Sequence, residues 1–144
     1  MATPGPVMKN RQWHWLWPLL LMLCIFTVSG ATRVATPDIG LTISKDKIGH
    51  FLVFGLLATA ILRIPRLQSL GPTGFWLAVA TTVAFGGFDE WRQSFTPGRE
   101  VEFADWLADS LGALVACFVY RYWPAYRKLL EYPLFSRRQN AGSS

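Results

Sequence analysis

The stretch FADWLADSLGALVACFVYRYW, residues 103–123, combines a long apolar run with two carboxylates. It is mostly apolar over the roughly 20 residues that a helix needs to cross the hydrocarbon core of a bilayer. Its first turns nevertheless contain Asp105 and Asp109, and an ionised carboxylate facing lipid costs on the order of 2–3 kcal/mol. The pattern therefore predicts a membrane helix that directs Asp109 toward other helices.

Three further apolar runs lie upstream: WHWLWPLLLMLCIFTVSGA at 13–31, GHFLVFGLLATAILRI at 49–64 and GFWLAVATTVAFGGFDEW at 74–91. The last two approach spanning length only when their polar ends are included. The predicted spans are therefore about 13–31, 47–64, 74–93 and 102–123. The predicted fold class is all-α, a polytopic membrane bundle of four transmembrane helices, with a cytoplasmic N-terminal segment (1–12) and a cytoplasmic basic tail (124–144).

The composition argues against an ordinary soluble domain. Only 16% of the 144 residues are charged and 51% are hydrophobic, whereas soluble domains carry about a quarter charged residues. The basic residues gather near the termini without a basic helix or an RNA-binding motif, so nucleic acid is not a predicted partner. Cys24 and Cys117 lie within apolar runs and form no CxxC motif, which argues against a disulfide or a cysteine metal site.

The first apolar run has a second interpretation as a secretory signal. Lys9 and Arg11 precede it, and the small residues Ser29, Gly30 and Ala31 follow it, as at a signal cleavage site. An uncleaved span is favoured, because the run is long for a signal core and its removal would leave three helices with an exposed face.

The distribution of Lys and Arg predicts the orientation. Nine basic residues fall on the side of the termini and five on the opposite side. The positive-inside rule therefore places both termini in the cytoplasm of a multi-pass inner-membrane protein. Eight of the nine acidic residues fall on the outer side.

Helical spacing arranges the outer polar residues in three stripes. The stripes are Asp46, His50 and Phe54; Phe85, Asp89 and Gln93, with Glu90 beside them; and Glu102, Asp105, Asp109 and Gly112. Three helix ends thus present polar groups at one membrane face, which predicts a ligand-binding site there. The candidate ligand-binding residues are Asp46, Lys47, His50, Glu90, Gln93, Arg99, Asp105 and Asp109. A purely structural ion-pair cluster is the alternative.

Asp109 lies about two turns into its span, so we expect it to be protonated or paired with Arg92, Arg99 or Lys47. Gly112 and Ala116 follow it by one and two turns and would let a neighbouring helix approach closely. Gly86 and Gly87 are the surface predicted to make that approach.

The segment FTPGRE, residues 95–100, predicts a tight turn at Pro97-Gly98. The turn would aim Arg99 back over the carboxylates. A guanidinium held in this way suits bidentate binding of phosphate or carboxylate. Pairing of Arg99 with Asp89 or Asp105 is an equal alternative.

Two segments resemble the VanZ-like membrane proteins: DKIGHFLVFGLL at 46–57 and DEWRQSFTPGREVEFADWLADSLGA at 89–113. The resemblance covers about residues 46–120, and its combined spacing is specific. It rests on Asp46, Lys47, His50, Phe51, Asp89, Glu90, Gln93, Phe95, Pro97, Arg99, Asp105 and Gly112. One departure is Asp109, where the family commonly has Asn. The family's namesake is associated with low-level teicoplanin resistance, but the resemblance implies no defined biochemical activity.

Three functions compete. The first is a non-catalytic membrane protein in which Arg99, Lys47 and His50 contact an anionic lipid headgroup, an envelope precursor or a lipoglycopeptide. Its expected partners are the lipid bilayer, that ligand and a second copy of the chain, with no cofactor and no metal. The second is an intramembrane enzyme, described in the next paragraph, and the third is a small carrier or structural component of an envelope complex.

The second function is an intramembrane enzyme acting on a lipid-linked phosphoester. Its catalytic candidates are Asp89 and Glu90 as acid and base and His50 as proton carrier, with Arg99 stabilising developing charge. A hard divalent ion on Asp105, Asp109 and Glu90 would be compatible with this chemistry. The chain contains no HExxH and no GxSxG motif, and adjacent Asp89 and Glu90 point about 100° apart on a helix, which weighs against it.

Overall fold

The computed structural model describes residues 13–30, 45–97 and 102–131. These ranges contain six α-helices, and the first follows a single 3₁₀ turn at Trp13–Trp15. The helices are α1 (Leu16–Ser29), α2 (Lys45–Leu62), α3 (Pro65–Ser69), α4 (Pro72–Gln93), α5 (Phe103–Tyr122) and α6 (Pro124–Glu131). No strand occurs in the described ranges, so the all-α prediction is confirmed.

Proline and glycine set the helix boundaries. α3, α4 and α6 each begin at a proline, which is favourable at the first helical position because the N–H it lacks would have no intrahelical partner there. Gly71 has a φ of +57° between α3 and α4, a conformation that glycine adopts without steric cost. A side chain at Gly74 would overlap the carbonyl of Leu67, so α3 folds tightly against the start of α4.

The centre of the molecule is the contact between α2 and α5, the most extensive of any helix pair described. Gly112 allows it, because a Cβ there would overlap the backbone carbonyl oxygen of Phe51. A Cβ at Gly55 would in turn lie 3.0 Å from the Gly112 carbonyl oxygen and 3.1 Å from the Cβ of Ala116. Small residues thus bring two backbones together, as predicted for Gly112 and Ala116.

The predicted partner surface for that approach was wrong. Gly86 and Gly87 lie on α4 and make room for side chains instead of a backbone. A Cβ at Gly86 would lie 2.9 Å from Oδ2 of Asp109, and one at Gly87 would lie 3.3 Å from the indole nitrogen of Trp106. The close backbone contact of α5 is therefore with α2.

At one end of the bundle the buried side chains are polar or charged, whereas many side chains on the surface of the bundle are apolar. Asp89, Glu90, Gln93, Asp105 and Asp109 are buried there. Large apolar side chains are exposed along α1, α2, α4 and α5, among them Trp17, Leu20, Leu52, Trp76, Trp91 and Phe118. Soluble proteins seldom expose contiguous apolar surface on this scale.

Four membrane spans are not confirmed. Each predicted span contains a helix, but among the described helices only α5 is both long and apolar enough to cross a membrane. α1 is apolar but has 14 residues. α2 carries ionisable residues at its start, from Lys45 onward. α4 carries ionisable residues at its end, near Arg92. Crossing by α1, α2 and α4 stays a prediction.

Candidate functional site

The three predicted polar stripes meet at one end of the bundle. We call the group the polar cluster; it contains Ser29, Asp46, Lys47, His50, Asp89, Glu90, Arg92, Gln93, Glu102, Asp105 and Asp109. It joins the start of α2, the end of α4, the start of α5 and the end of α1. Arg99, predicted to belong to the site, lies outside the described residues.

Lys47 ties the start of α2 to the start of α5. Its Nζ donates to Oε2 of Glu102 at 2.6 Å and to Oδ1 of Asp105 at 2.9 Å. Such charge-assisted hydrogen bonds are stronger than neutral ones. The Asp105 side chain is only 4% exposed, so its negative charge is compensated inside the protein and not by water.

Asp89 joins α4 to α1. Its Oδ1 accepts hydrogen bonds from Oγ of Ser29 at 2.7 Å and Nη2 of Arg92 at 3.0 Å, while Oδ2 accepts one from Nε2 of Gln93 at 2.8 Å. The Arg92 guanidinium also lies 4.2 Å above the ring centre of Phe26 on α1, a cation–π distance. Both oxygens of Asp89 are therefore occupied, which is the pattern of a structural residue.

His50, Glu90 and Asp109 form the third part of the cluster, one residue from each of α2, α4 and α5. Nδ1 of His50 lies 2.9 Å from Oδ1 of Asp109, and the imidazole stacks on Phe54 at 6.0 Å between ring centres. Both carboxylate oxygens of Glu90 and Oδ2 of Asp109 have no hydrogen-bond partner within the described residues. This part of the cluster retains unused binding capacity.

A cleft of about 330 Å³ opens beside the polar cluster. One part of it is apolar and is lined by Cys24, Ile25, Val28, Val53 and Phe54. The other part is polar and is lined by Ser29, Asp46, His50 and Asp89. The cleft lies between α1, α2 and α4 and is therefore amphipathic along its length.

The family is shown by sequence comparison. The family model for VanZ/LLP1 matches residues 12–124. The chain belongs to the VanZ/LLP1 family. The match spans α1 to α5 and includes every residue of the polar cluster. Comparison with curated proteins and with solved structures gave no match.

The structure corrects one sequence-based expectation about Asp109. The residue does face the bundle, with 1% of its surface exposed. Its partner among the described residues is His50, whereas Lys47 pairs with Glu102 and Asp105 and Arg92 pairs with Asp89. The two named cations that are described were therefore the wrong partners.

The three catalytic candidates of this VanZ/LLP1 protein do not form one group. Glu90 lies with His50 and Asp109, while Asp89 is held by Ser29, Arg92 and Gln93. The 100° separation of adjacent helical residues thus sends the two carboxylates to different neighbours. Sequence reasoning missed Ser29, whose only signal was a polar residue at the end of an apolar run.

Among the described side chains, the polar cluster contains more acidic than basic groups. Six carboxylates face two permanent cations, Lys47 and Arg92, among the described side chains. Each of those cations, and His50, already contacts a carboxylate. Contact of Arg99, Lys47 and His50 with an anion stays a prediction, because Arg99 lies outside the described residues.

The opposite end of α2 and α5 has the reverse charge. A second cavity of about 460 Å³ is lined by Gln68, Tyr120, Arg121 and Arg127, among others. Nε2 of Gln68 donates to the hydroxyl of Tyr120 at 3.0 Å and so connects α3 to α5. The VanZ/LLP1 bundle thus has an acidic end and a basic end.

Proposed function

We propose that this protein is a multi-pass inner-membrane protein with cytoplasmic termini that binds an acylated envelope molecule at its outer face. The ligand would be a lipoglycopeptide such as teicoplanin, which carries an acyl chain, or a lipid-linked envelope precursor, which carries a polyprenyl chain; both join a hydrocarbon chain to sugars and peptide. The amphipathic cleft beside the polar cluster is the observation that carries this proposal.

The surface of the bundle supports a membrane location. Apolar side chains cover the outside of four helices while carboxylates occupy the inside of one end, which suits a lipid solvent and not water. The basic end, with Arg121 and Arg127, would face the anionic cytoplasmic leaflet. The acidic end would then lie at the outer face.

The cleft matches the two halves of an acylated ligand. An acyl chain would lie along Cys24, Val28 and Val53, and the polar part would reach Asp46 and His50. The volume of about 330 Å³ is at the small end of the range for ligand pockets. The cleft would therefore hold the junction between acyl chain and polar group, with the rest of the ligand outside.

Carboxylates at the polar part favour hydroxyl, amide and ammonium groups over a bare phosphate. Asp46 lines this part of the cleft beside His50, and a carboxylate is a hydrogen-bond acceptor. Sugars and peptides supply many donors. We therefore expect a ligand whose hydrocarbon chain is attached directly to a sugar or peptide, as in teicoplanin, to suit the polar cluster better than one whose chain is attached through a diphosphate.

The test uses the purified protein in lipid nanodiscs and measures binding of teicoplanin and of vancomycin, a glycopeptide without the acyl chain. We expect teicoplanin to bind and vancomycin to bind at least about tenfold more weakly, since each buried CH₂ contributes roughly 0.8 kcal/mol. Val53→Trp should fill the cleft and abolish binding. Leu52→Trp is the matched control, because Leu52 is 62% exposed and is not among the residues that line the cleft.

The same assay with an undecaprenyl-linked sugar–peptide precursor separates the two sources of ligand. Preference for the precursor would identify an envelope function, and preference for teicoplanin would identify a resistance function. Expression in a teicoplanin-sensitive Gram-positive strain gives the cellular readout. Absence of binding to both ligands, or equal binding by Val53→Trp and wild type, would overturn the proposal.

An intramembrane hydrolase of lipid-linked phosphoesters is a second candidate, favoured by the unpartnered carboxylate of Glu90 beside His50. Asp89 is unsuited to acid–base chemistry because both of its oxygens accept hydrogen bonds. Phosphate release from undecaprenyl diphosphate by the protein in nanodiscs tests this function. Absence of phosphate release by the wild type would eliminate this function, and activity that survives Glu90→Gln would exclude Glu90 as its catalytic group.

A further inference from the structure

Two groups of three side chains in the polar cluster are close enough to share an ion, and His50 belongs to both. One group adds Asp46 and Asp105, and the other adds Glu90 and Asp109. In each group one ligand atom per residue lies within 4.8 Å of the other two. The first group already contains a cation, because Nζ of Lys47 contacts Asp105 at 2.9 Å.

The second group contains buried oxygens that nothing in the described part of the chain satisfies. Glu90 is 5% exposed and Asp109 is 1% exposed, yet three of their four carboxylate oxygens have no hydrogen-bond donor among the described residues. A buried polar atom without a partner is rare in folded proteins, and burying a carboxylate without compensation is costly. A cation between these oxygens would remove that cost.

We propose that His50, Glu90 and Asp109 bind one divalent transition-metal ion, Zn²⁺ or Mn²⁺. The three ligands come from α2, α4 and α5, so the ion would join the three helices that contribute most of the cluster. Metal–ligand bonds of about 2.0–2.2 Å at tetrahedral angles put ligand atoms roughly 3.3–3.6 Å apart, and the three ligand atoms here lie within 4.8 Å of one another. Binding would therefore require the side chains to close by at most about 1.5 Å.

The ligand set selects the class of metal. One imidazole with two carboxylates suits Zn²⁺ and Mn²⁺, whereas Mg²⁺ and Ca²⁺ take oxygen ligands almost exclusively. Three protein ligands leave further coordination positions open, as in metal sites that bind a substrate or water. Because His50 also lines the cleft, those positions would adjoin it. The proposal does not depend on which molecule occupies the cleft.

The test is metal binding by the detergent-purified, EDTA-stripped full-length protein. Zn²⁺ is titrated by calorimetry and Mn²⁺ by loss of its free-ion EPR signal. We expect one ion per chain. Loss of a residue that only hydrogen-bonds to a metal ligand lowers metal affinity about 10–100-fold. Glu90→Gln and Asp109→Asn each remove a ligand itself, so each should weaken binding by at least that factor.

Glu102→Gln is the matched control. It also removes one carboxylate from the cluster, but Glu102 contacts Lys47 and belongs to neither group. It should bind metal like the wild type. A thermal-melting series gives a second readout, because a bound ion stabilises the native state and should raise the Tm of the wild type but not of Glu90→Gln.

Three results would overturn the proposal: no ion bound by the wild type, unchanged affinity in Glu90→Gln, or equal loss in Glu102→Gln. If Asp109→Asn does not fold, Glu90→Gln decides alone. Val53→Trp separates this proposal from the proposed function. It should lose the acylated ligand and keep the ion, and each half of that result can fail independently of the other.

Discussion

Asp89 and Glu90 are adjacent in sequence, equally acidic and both buried, but their surroundings differ completely. Asp89 accepts hydrogen bonds from Ser29, Arg92 and Gln93. Glu90 accepts none within the described residues. Removal of Asp89 would therefore leave Arg92 without its carboxylate, whereas removal of the Glu90 charge would break no described hydrogen bond.

This difference gives a prediction for stability. In EDTA, Glu90→Gln should raise the free energy of unfolding by roughly 1–3 kcal/mol, because it removes a buried charge for which the described residues supply no hydrogen-bond donor. Thermal melting followed by tryptophan fluorescence is the measurement. Glu102→Gln should change stability by no more than about 1 kcal/mol, since its side chain is 40% exposed and its ion pair is screened by solvent. A clearly destabilised Glu90→Gln would contradict the argument.

Gly112 is the residue on which the contact between α2 and α5 depends. Gly112→Ala would place a methyl group against the Phe51 carbonyl and should cost about 3 kcal/mol, the upper end of the range for overpacking. Gly49→Ala is the control, because a Cβ there meets nothing within 4 Å and alanine is the better helix former. Denaturant unfolding in mild detergent compares the two. Equal stability of both variants would mean that the helices can separate without cost.

At the scale of elements, α1 is held differently from the other long helices. Its packing against α2 and α4 is much less extensive than that between α2 and α5. Its polar connection runs through Ser29, which donates to Asp89 and accepts from Arg92 at 2.5 Å. α1 therefore depends on a few specific contacts near its C-terminal end.

We expect Ser29→Ala to loosen α1 while leaving the rest of the bundle intact. Hydrogen exchange with mass spectrometry should detect faster exchange in Leu16–Ser29 and unchanged exchange in α2 and α5, because local opening follows local contact density. Ser110→Ala is the control, since within the described ranges the Ser110 hydroxyl donates to the Trp106 carbonyl of its own helix and to no other helix. Faster exchange throughout the molecule would show instead that the serine supports the whole fold.

Helical periodicity predicted more about the faces of the helices than about the contacts between them. The spacing of Asp105, Asp109 and Gly112 was sufficient to place them on one buried stripe, and the structure buries all three. The same spacing could not show that Asp109 meets His50 and not Lys47. That choice depends on the relative height of α2 and α5, which is set by the contact of Gly55 with Gly112. No single helix pattern contains this information.

At the scale of the whole molecule, the bundle is polarised along its length. Carboxylates gather where α4 ends and α5 begins, and Arg121 and Arg127 line the cavity at the opposite end. Between them the exposed surface of α4 is largely apolar, with Trp76, Leu77 and Phe88. This arrangement is the one expected of a bundle whose two ends face different aqueous compartments.

α4 offers the sharpest test of membrane crossing. Its 22 residues extend for about 33 Å at about 1.5 Å per residue, and the hydrocarbon core is about 30 Å thick. Ser69 and Ser94 flank it at opposite ends. Both are exposed, and each hydroxyl bonds to a nearby backbone carbonyl, that of Arg66 or Trp91, so cysteines at the two positions should have similar intrinsic reactivity.

With Cys24→Ser as background and Cys117 fully buried, a membrane-impermeant maleimide reports on each introduced cysteine separately. Ser94→Cys should be labelled in intact cells. Ser69→Cys should be labelled only after permeabilisation, because the basic side is expected in the cytoplasm. The reverse pattern would keep the crossing and invert the orientation. Labelling of both positions in intact cells would mean that α4 does not cross the membrane, and the acidic cluster would then have to be placed in a bundle lying against one leaflet.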